Sequence, residues 1–276
     1  MRPLSEWSES TDPFFQSRSV VAFDLDDTLT TRGALPGDVV RDLEAAQARG
    51  WRTCLVTGRS AGWVDALIKL LPFDAVVGEN GALVVDWPAG KARRGEREAP
   101  RKLYWTPQGY GDQPPPGLRD RMEATLADVR KNVPGCQVAS DQAFRIYDLA
   151  VDFAEEVDPP LDLAAADRIR EVFEAHGATA KVSSIHVNGW WGTFNKTDGL
   201  RRLVEGHWGL TLERAVVYVG DSPNDGPLFG AAGVSVGVAN LRHFVGRVDF
   251  TPPTYVARGE ASQGARELLA RLGTRP

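Results

Sequence analysis

Short apolar runs of strand length alternate with helical patterns at the start of the chain, and this alternation limits the possible fold more than any other feature. "SVVAFDL" (19–25) and "WRTCLVTG" (51–58) are apolar at nearly every strand position. Between them, Val39, Leu43 and Ala46 fall at helical spacing. Apolar strands separated by helices indicate a parallel sheet that is covered on both faces. We therefore predict an α/β fold with a parallel-sheet core.

The middle of the chain has a different pattern. "GDQPPPG" (111–117) is a strong break, and it is followed by a helical segment (118–133) and a strand-like segment (145–154). The α/β pattern returns at about residue 195. The simplest reading is a core that is interrupted by a separate α+β unit. The predicted bounds are 1–17 for an N-terminal extension, 18–85 and 191–276 for the core, and 86–190 for the inserted unit.

Composition excludes several classes of partner and location. The chain has 276 residues, a formal net charge of -5 and two cysteines, Cys54 and Cys136. An acidic balance argues against nucleic acid as the main partner, and two cysteines cannot form a disulfide framework. No run of about 18 apolar residues predicts a membrane span. The first residues lack the apolar core of a signal peptide, so we expect a cytoplasmic protein with a loosely ordered stretch over residues 1–17.

Three of the predicted core strands end in polar clusters. The first runs into three aspartates within residues 24–27, the second into "TGRS" (57–60) and the last into "GDSPND" (220–225). The carboxyl ends of parallel strands meet in one crevice, where ligands bind. Crowded carboxylates need a cation, and a site with only oxygen ligands suits Mg²⁺. The expected metal-ligating residues are Asp24, Asp26, Asp221 and Asp225.

The positive charge that should balance these carboxylates is Lys196, in "NKTDGL". It opens the core segment just after the insertion, so we expect it to reach the strand ends. An ammonium group there would keep Asp24 ionised and would balance an incoming phosphate.

Four segments in order resemble the four motifs of the haloacid dehalogenase superfamily. They are "DLDDTLT" (24–30), "LVTGRS" (55–60), "NKTDG" (195–199) and "GDSPND" (220–225). The insertion, together with "GENGA" (78–82), resembles subfamily IIB with its large C2-type cap, which includes sucrose-phosphate, trehalose-phosphate and mannosyl-phosphoglycerate phosphatases. The resemblance implies a Rossmann-like core, an inserted cap domain and Mg²⁺ as the cofactor.

The resemblance also implies catalytic roles, residue by residue. Asp24 matches the nucleophile that becomes an aspartyl phosphate, and Asp26 matches the general acid and base. Thr57 matches the hydroxyl that binds the transferring phosphoryl group. Lys196 matches the lysine that neutralises the nucleophile and the phosphate. Asp27 stands where many relatives have glycine, and we assign it no catalytic role.

The implied metal ligands are the same aspartates that the crowding argument selects. Asp221 matches a direct Mg²⁺ ligand, and Asp225 matches a direct or water-mediated one. Asp24 supplies its carboxylate, and Asp26 supplies its main-chain carbonyl.

Candidate substrate-binding residues are Gly58, Asn80 and Asn224. Asn80 lies between two glycines, and a hairpin turn and a place facing the substrate are equally compatible with that position. Asn224 is expected to orient neighbouring groups. Arg59 reads as a structural or surface residue rather than a phosphate clamp.

Residues of the insertion could contact the far end of a substrate. Arg145, Tyr147 and Lys181 are candidates, and the sequence singles out none of them. His186 fits an ordinary strand residue better than a ligand. Trp190 could stack on a sugar ring, but adjacent aromatic residues near a domain junction favour packing.

The favoured function is a Mg²⁺-dependent phosphatase that acts on a small phosphorylated metabolite, with a sugar phosphate as the best candidate. A phosphosugar mutase would use the same aspartyl phosphate, so the motifs do not separate the two. Dehalogenase chemistry is less favoured, because it needs neither Asp26 as an acid nor a metal site. A metabolite sensor would be expected to lack Asp24 or Asp26. We expect no nucleic-acid or membrane partner, and the oligomeric state is not predicted.

Overall fold

The computed structural model describes residues 1–8, 10–91, 98–183, 185–245 and 251–275. Its strands are β1 Arg2–Pro3, β2 Val20–Phe23, β3 Arg52–Val56, β4 Ala75–Gly78, β5 Leu83–Asp86, β6 Arg101–Thr106, β7 Gly109–Gly111, β8 Gln137–Val138, β9 Asp148–Asp152, β10 Thr179–Val182, β11 His186–Trp190, β12 Val216–Gly220, β13 Val234–Gly237 and β14 Tyr255–Val256. Its helices are α1 Gly37–Ala48, α2 Ala61–Leu70, α3 Leu118–Asn132, α4 Leu163–Ala175, α5 Lys196–Val204, α6 Leu212–Ala215, α7 Gly226–Ala231 and α8 Ala261–Leu269. None of the helices in these ranges is long and apolar enough to cross a bilayer.

The larger sheet has the strand order β1-β14-β13-β12-β2-β3-β4-β5-β6-β7. All pairs from β1 to β4 are parallel, and β5, β6 and β7 then add on in antiparallel fashion. The central parallel strands β2, β3, β4 and β12 are almost wholly buried, which explains why they are apolar at nearly every position. The predicted α/β fold class with a largely parallel core is confirmed.

Helices cover both faces of this sheet. On one face, α1, α2 and α8 contribute Leu43, Ile68 and Leu268 to a buried cluster. On the other face, α5 and α7 contribute Leu200 and Leu228 to a second cluster. Two helix layers around one sheet leave the carboxyl ends of the strands open for a ligand site.

A second sheet has the order β10-β11-β9-β8 and is antiparallel throughout. Helices α3 and α4 pack on one face of it, around Ile169 and Phe173. Gly189 lets Phe173 pack this closely, because a Cβ at that position would lie 2.2 Å from the ring. We call this sheet with α3 and α4 the cap. Its other face is turned towards the carboxyl ends of the larger sheet.

The bounds 18–85 and 191–276 for the core, and 86–190 for the inserted unit, remain predictions. Sheet membership differs from them in one respect, because β6 and β7 lie within 86–190 but extend the larger sheet. A physical reason is that β5 would otherwise expose an unpaired edge.

The expectation that residues 1–17 are loosely ordered is wrong for the described part of that segment. Strand β1 pairs with β14, and the side chains of Leu4 and Trp7 are buried in the core. Arg18 donates hydrogen bonds of 2.9 and 2.8 Å to the two carboxylate oxygens of Asp12. Two large apolar side chains among polar neighbours were enough to fix the segment on the sheet.

Candidate active site

The crevice lies where the strand order reverses. The chain runs from β2 outward through β3 and β4, and later returns on the other side of β2 with β12. Asp24 follows β2 directly, and Asp221 follows β12 directly. The two strands are in register, with Phe23 opposite Val219 and the Asp24 amide donating to the Val219 carbonyl at 2.9 Å. This is the topological switch point at which open α/β sheets bind ligands.

A buried lysine connects two of the predicted carboxylates. Lys196, at the start of α5, donates hydrogen bonds of 2.8 Å to Asp24 Oδ1 and 2.9 Å to Asp225 Oδ1. The helix begins there because Asn195 caps it, in a capping box with Asp198. The prediction that Lys196 reaches the strand ends is confirmed.

Asp225 is fully occupied by hydrogen bonds. Its Oδ1 also accepts from the Tyr218 hydroxyl at 2.7 Å, and its Oδ2 accepts from the amides of Asp221 and Ser222 at 3.0 and 3.2 Å. Asp221 differs, since Thr28 donates to its Oδ1 at a long 3.3 Å. Asp225 therefore fixes the loop and the lysine, while Asp221 keeps an oxygen available. We call Asp24, Lys196, Asp221 and Asp225 the floor of the crevice.

The electrostatics of the floor favour a bound cation. Burial raises the pKa of Asp24 to about 7, although Lys196 acts in the opposite direction. Burial, followed by the charges of Asp225 and Asp24, raises the pKa of Asp221 well above its ordinary value. Burial alone would lower the pKa of Lys196, but the charges of Asp225 and Asp24 raise it. Both raised carboxyl pKa values mean that the ionised carboxylates lack enough positive charge nearby, which a bound cation would supply.

The donor set fits a hard divalent cation. One oxygen each of Asp24, Asp221 and Asp225 lies within 4.8 Å of the others, and all three side chains are buried. Carboxylate oxygens without nitrogen or sulfur ligands are the chemistry that Mg²⁺ prefers. A buried acidic cluster is thus present where the sequence predicted it.

Asp26 lies beside the floor and is held by an arginine. Arg59 donates from Nε to Asp26 Oδ2 and from Nη2 to Asp26 Oδ1, both at 3.0 Å. Its guanidinium also lies over the ring of Trp63, 5.0 Å from the centroid. Arg59 was expected to be structural or surface-exposed, and its contact with the predicted acid was missed. The available signal was that it follows β3 by three residues, at the same edge of the sheet as Asp26.

The turn after Asp26 explains the residue that follows it. Asp27 has φ 54°, in the left-handed region where glycine is the usual residue and aspartate is one of the few others tolerated. Its amide donates to Thr30 Oγ1 at 3.1 Å. Asp27 therefore has a conformational role in this structure.

The end of β3 places Thr57, Gly58 and Asn80 together. Thr57 is buried, and its Oγ1 accepts the Arg59 amide at 3.1 Å. Asn80 has φ 55° in the turn between β4 and β5, and it also lines the cavity between the core and the cap. A Cβ on Gly58 would lie 3.0 Å from Asn80 Oδ1, so glycine lets these segments approach. Asn80 therefore lies in a turn and also borders the cavity, and its contact with a substrate stays a prediction.

The face of the cap sheet that points into the crevice carries Asp148, Lys181, Asn188 and Trp190, which we call the roof. Lys181 is opposite Asn188 in the β10–β11 ladder, and Trp190 is opposite Asp148 in the β11–β9 ladder. Residues that are paired across strands, or two apart along one strand, share a face. Asp148 joins the roof to the core, because it accepts from Asn80 Nδ2 at 3.4 Å and from Asn188 Nδ2 at 3.0 Å.

A buried glutamate also attaches the cap to the core. Glu79 accepts from the Ala61 amide of the core at 2.9 Å. It also accepts from the cap amides of Ile146 at 2.9 Å and Tyr147 at 2.6 Å. Burial, followed by the charge of Asp148, raises the pKa of Glu79 to about 7. Sequence reasoning missed Glu79, since "GENGA" reads as a turn.

Two of the predicted cap candidates have structural partners instead. Arg145 donates to Asp148 at 2.8 Å, to Asp141 at 3.0 Å and to the Gly58 carbonyl at 3.0 Å. The Tyr147 hydroxyl donates to the Trp105 carbonyl at 2.7 Å.

Two further residues follow the favoured sequence interpretation. His186 is a buried residue of β11, and its Nε2 lies 2.9 Å from Glu155 Oε2. Trp190 is buried against Phe194 in a stacked arrangement, as the packing interpretation expects.

A cavity of about 60 Å³ lies between the floor and the roof. Its lining residues are Asn80, Lys181, Trp190, Asn195, Lys196, Pro223, Asn224 and Pro227. Predicted residues from three motifs thus line one small cavity.

The fold and this crevice define an α/β protein with an acidic site at its switch point and a cap above it. Residues 21–100 match the family model of haloacid dehalogenase-like hydrolases. Together with the fold, this match confirms the resemblance of the chain to that superfamily. A comparison with curated proteins found no match to the sequence.

Solved structures share the fold over almost the whole chain. Protein 0175 of Thermoplasma acidophilum has 17% identity and a TM-score of 0.68, with 92% of this chain and 98% of that chain covered. The sucrose-phosphatase of Synechocystis sp. PCC6803, solved with sucrose and phosphate, has 18% identity and a TM-score of 0.62, with 92% and 98% covered. The subclass IIB sugar phosphatase BT4131 has 14% identity and a TM-score of 0.59, with 92% and 98% covered. Identities this low establish the shared fold.

Proposed function

We propose that this protein is a Mg²⁺-dependent phosphoric monoester hydrolase that acts on a small phosphorylated metabolite, with a sugar phosphate as the favoured class. The observation that carries the proposal is the floor, where one buried lysine joins Asp24 to Asp225 and three carboxylates lie within 4.8 Å. The hydrolase family model and the sugar phosphatases among the structural neighbours support it.

Each residue has a defined task in this proposal. An oxygen of Asp24 attacks phosphorus, and the bond from phosphorus to the leaving oxygen breaks. Asp26 gives its proton to that oxygen, and later takes a proton from the water that attacks the aspartyl phosphate. That attack breaks the bond from phosphorus to the Asp24 oxygen, so phosphate leaves and the Asp24 carboxylate is restored. Lys196 balances the charge of Asp24 and of the phosphate, and Thr57 hydrogen-bonds the phosphoryl group. When bound, Mg²⁺ would neutralise charge on the transferring phosphoryl group.

The metal would be held by Asp24, Asp221, the main-chain carbonyl of Asp26 and Asp225. Asp225 already accepts hydrogen bonds at both oxygens, so we assign it the water-mediated place. Gly58, Asn80 and Asn224 would contact the substrate from the core.

Arg59 orients Asp26 at the edge of the floor. It donates one hydrogen bond to each carboxylate oxygen, and each oxygen keeps a further lone pair for the leaving oxygen. We therefore assign Arg59 the task of positioning Asp26 for proton transfer.

The test is release of inorganic phosphate from a panel of phosphorylated sugars and small acids, with Mg²⁺ and with EDTA, for the wild type and Asp24→Asn. The proposal predicts release that needs both the metal and Asp24. Release that survives in EDTA or in Asp24→Asn would overturn it. Binding without turnover would favour a sensor, and an isomerised product from a bisphosphorylated sugar would favour a mutase.

A further inference from the structure

The roof carries one lysine whose charge is not balanced by any contact in the described part of the chain. Of the three cap candidates from the sequence, Arg145 is bound to Asp141 and Asp148, and Tyr147 is bound to Trp105. Lys181 makes no ion pair or hydrogen bond through its side chain within the described residues. It is also exposed, so its ammonium group is free to meet a ligand.

Lys181 faces the reaction site. It lines the cavity together with Lys196, which donates to the proposed nucleophile Asp24. A leaving group that extends from a phosphoryl group at Lys196 into this cavity would meet Lys181. The other cavity-lining residues from the roof and the adjacent loops are uncharged, so Lys181 sets the charge of this end of the cavity.

The neighbours of Lys181 support a polar, anionic occupant. Asn188 stands directly opposite it in the ladder, and directly opposed side chains lie within contact distance. Asn188 is fixed by its hydrogen bond to Asp148, and Asp148 is paired with Arg145, which it shares with Asp141. Among the roof residues that line the cavity, Lys181 is therefore the charged one.

We propose that Lys181 is a specificity-determining residue that selects substrates with a second anionic group, a carboxylate or a second phosphate, on the leaving group. This inference rests on the proposed phosphatase function and names the substrate class of the same site. A lysine acts as a point charge, so it distinguishes charged from neutral leaving groups more than it distinguishes their shapes.

Matched substrate pairs test the inference, because their members differ in one charge. 3-Phosphoglycerate is compared with glycerol 3-phosphate, and 6-phosphogluconate with glucose 6-phosphate. For the wild type with Mg²⁺, kcat/KM should be higher for the acidic member of each pair. Lys181→Met should lower kcat/KM for the acidic members roughly tenfold to hundredfold, the usual worth of a hydrogen bond to a charged group. The neutral members should change less than about twofold, because an uncharged leaving group makes no ion pair with the ammonium.

Two variants control the experiment. Lys181→Arg keeps the charge and should keep the preference for the acidic member. Lys131→Met removes an exposed lysine at the end of α3, away from the cavity, and should change neither substrate. Thermal unfolding of each variant checks that the fold is intact.

The outcomes separate this inference from the proposed function. Metal-dependent release with an unchanged acidic-to-neutral ratio in Lys181→Met would overturn the role of Lys181 and leave the phosphatase intact. A wild type that prefers the neutral members would also overturn it. No Asp24-dependent release from any of the four compounds, or from the wider panel, would remove both proposals.

Discussion

The floor and the roof of the crevice differ in how their charges are balanced. On the floor, Lys196 joins Asp24 to Asp225, and the lysine and the second aspartate have little freedom to move. On the roof, Asp148 is paired with Arg145, but Lys181 is unpaired in the described structure. A floor with fixed charges suits a reaction that is common to many substrates, because preorganised charge needs no rearrangement during the reaction. The unpaired charge of Lys181 on the roof suits discrimination among substrates.

The largest expected effect is on the floor. Asp24→Asn removes the proposed nucleophile while keeping the shape of the side chain, and we expect turnover to fall below detection for every substrate. The measurement is phosphate release at saturating Mg²⁺, with circular dichroism to check the fold. A residual rate close to that of the wild type would show that another group attacks phosphorus.

The next effect concerns the acid at the edge of the floor. Asp26→Asn should lower kcat by roughly 10²–10⁴, the usual worth of general acid–base catalysis. The loss in kcat/KM, which reports the step in which the leaving group departs, should be smaller for a substrate such as p-nitrophenyl phosphate, whose leaving group needs little protonation. An equal loss for good and poor leaving groups would contradict the role of Asp26 as an acid.

Arg59 connects the two regions, since it holds Asp26 and lies 3.9 Å from Glu155 of the cap. Arg59→Met should lower kcat by about tenfold, because Asp26 would lose the partner that orients it. A double-mutant cycle with Asp26→Asn sharpens the test. If Arg59 acts through Asp26, its substitution should have almost no further effect in the Asp26→Asn background. Additive losses would assign Arg59 a separate task, such as contact with the substrate.

The smallest expected effect on activity concerns Glu79, which attaches the cap to the core. Burial raises the pKa of Glu79 from an ordinary 4.5 to about 7. Between pH 4.5 and pH 7, Glu79 therefore keeps its proton in the folded state but loses it in the unfolded state. This contribution to stability is complete below pH 4.5 and is lost as the pH rises to about 7, at up to about 1.4 kcal/mol per pH unit.

Glu79→Gln should flatten this part of the pH dependence, although it lowers stability at every pH because an amide NH₂ would face backbone donors. The measurement is the free energy of unfolding in urea at pH 5 and pH 8, in EDTA, for both proteins. If the free energy of unfolding changes equally with pH in the wild type and in Glu79→Gln, Glu79 does not titrate in this range.

The sequence predicted the floor well because each of its residues follows a core strand or opens a core helix. Once the parallel sheet was inferred, Asp24, Asp221 and Lys196 had to meet, although 172 residues separate Asp24 from Lys196. The roof could not be predicted in the same way. Whether Lys181 or its neighbour in β10 faces the crevice depends on the register with β11 and on how the cap lies over the core. A shift of one residue would turn Lys181 away.

Two misses have the same physical origin. Arg59 and Glu79 act through long-range contacts, one with Asp26 and one with the amides of the cap. Neither contact leaves a periodic or motif signal in the sequence. A buried charge is costly unless it is paired. The roles of Arg59 and Glu79 could therefore be assigned only from the folded structure, which shows their partners.

The most direct test of the account is to trap the phosphorylated enzyme. The slow Asp26→Asn variant is mixed with substrate and Mg²⁺, quenched in acid, reduced with borohydride and mapped by mass spectrometry. An acyl phosphate is reduced to the alcohol, so the account predicts homoserine at position 24 and unmodified aspartate at position 221. Turnover by the wild type without any modification at position 24 of the variant, or modification at another carboxylate, would contradict the central claim that Asp24 is the nucleophile.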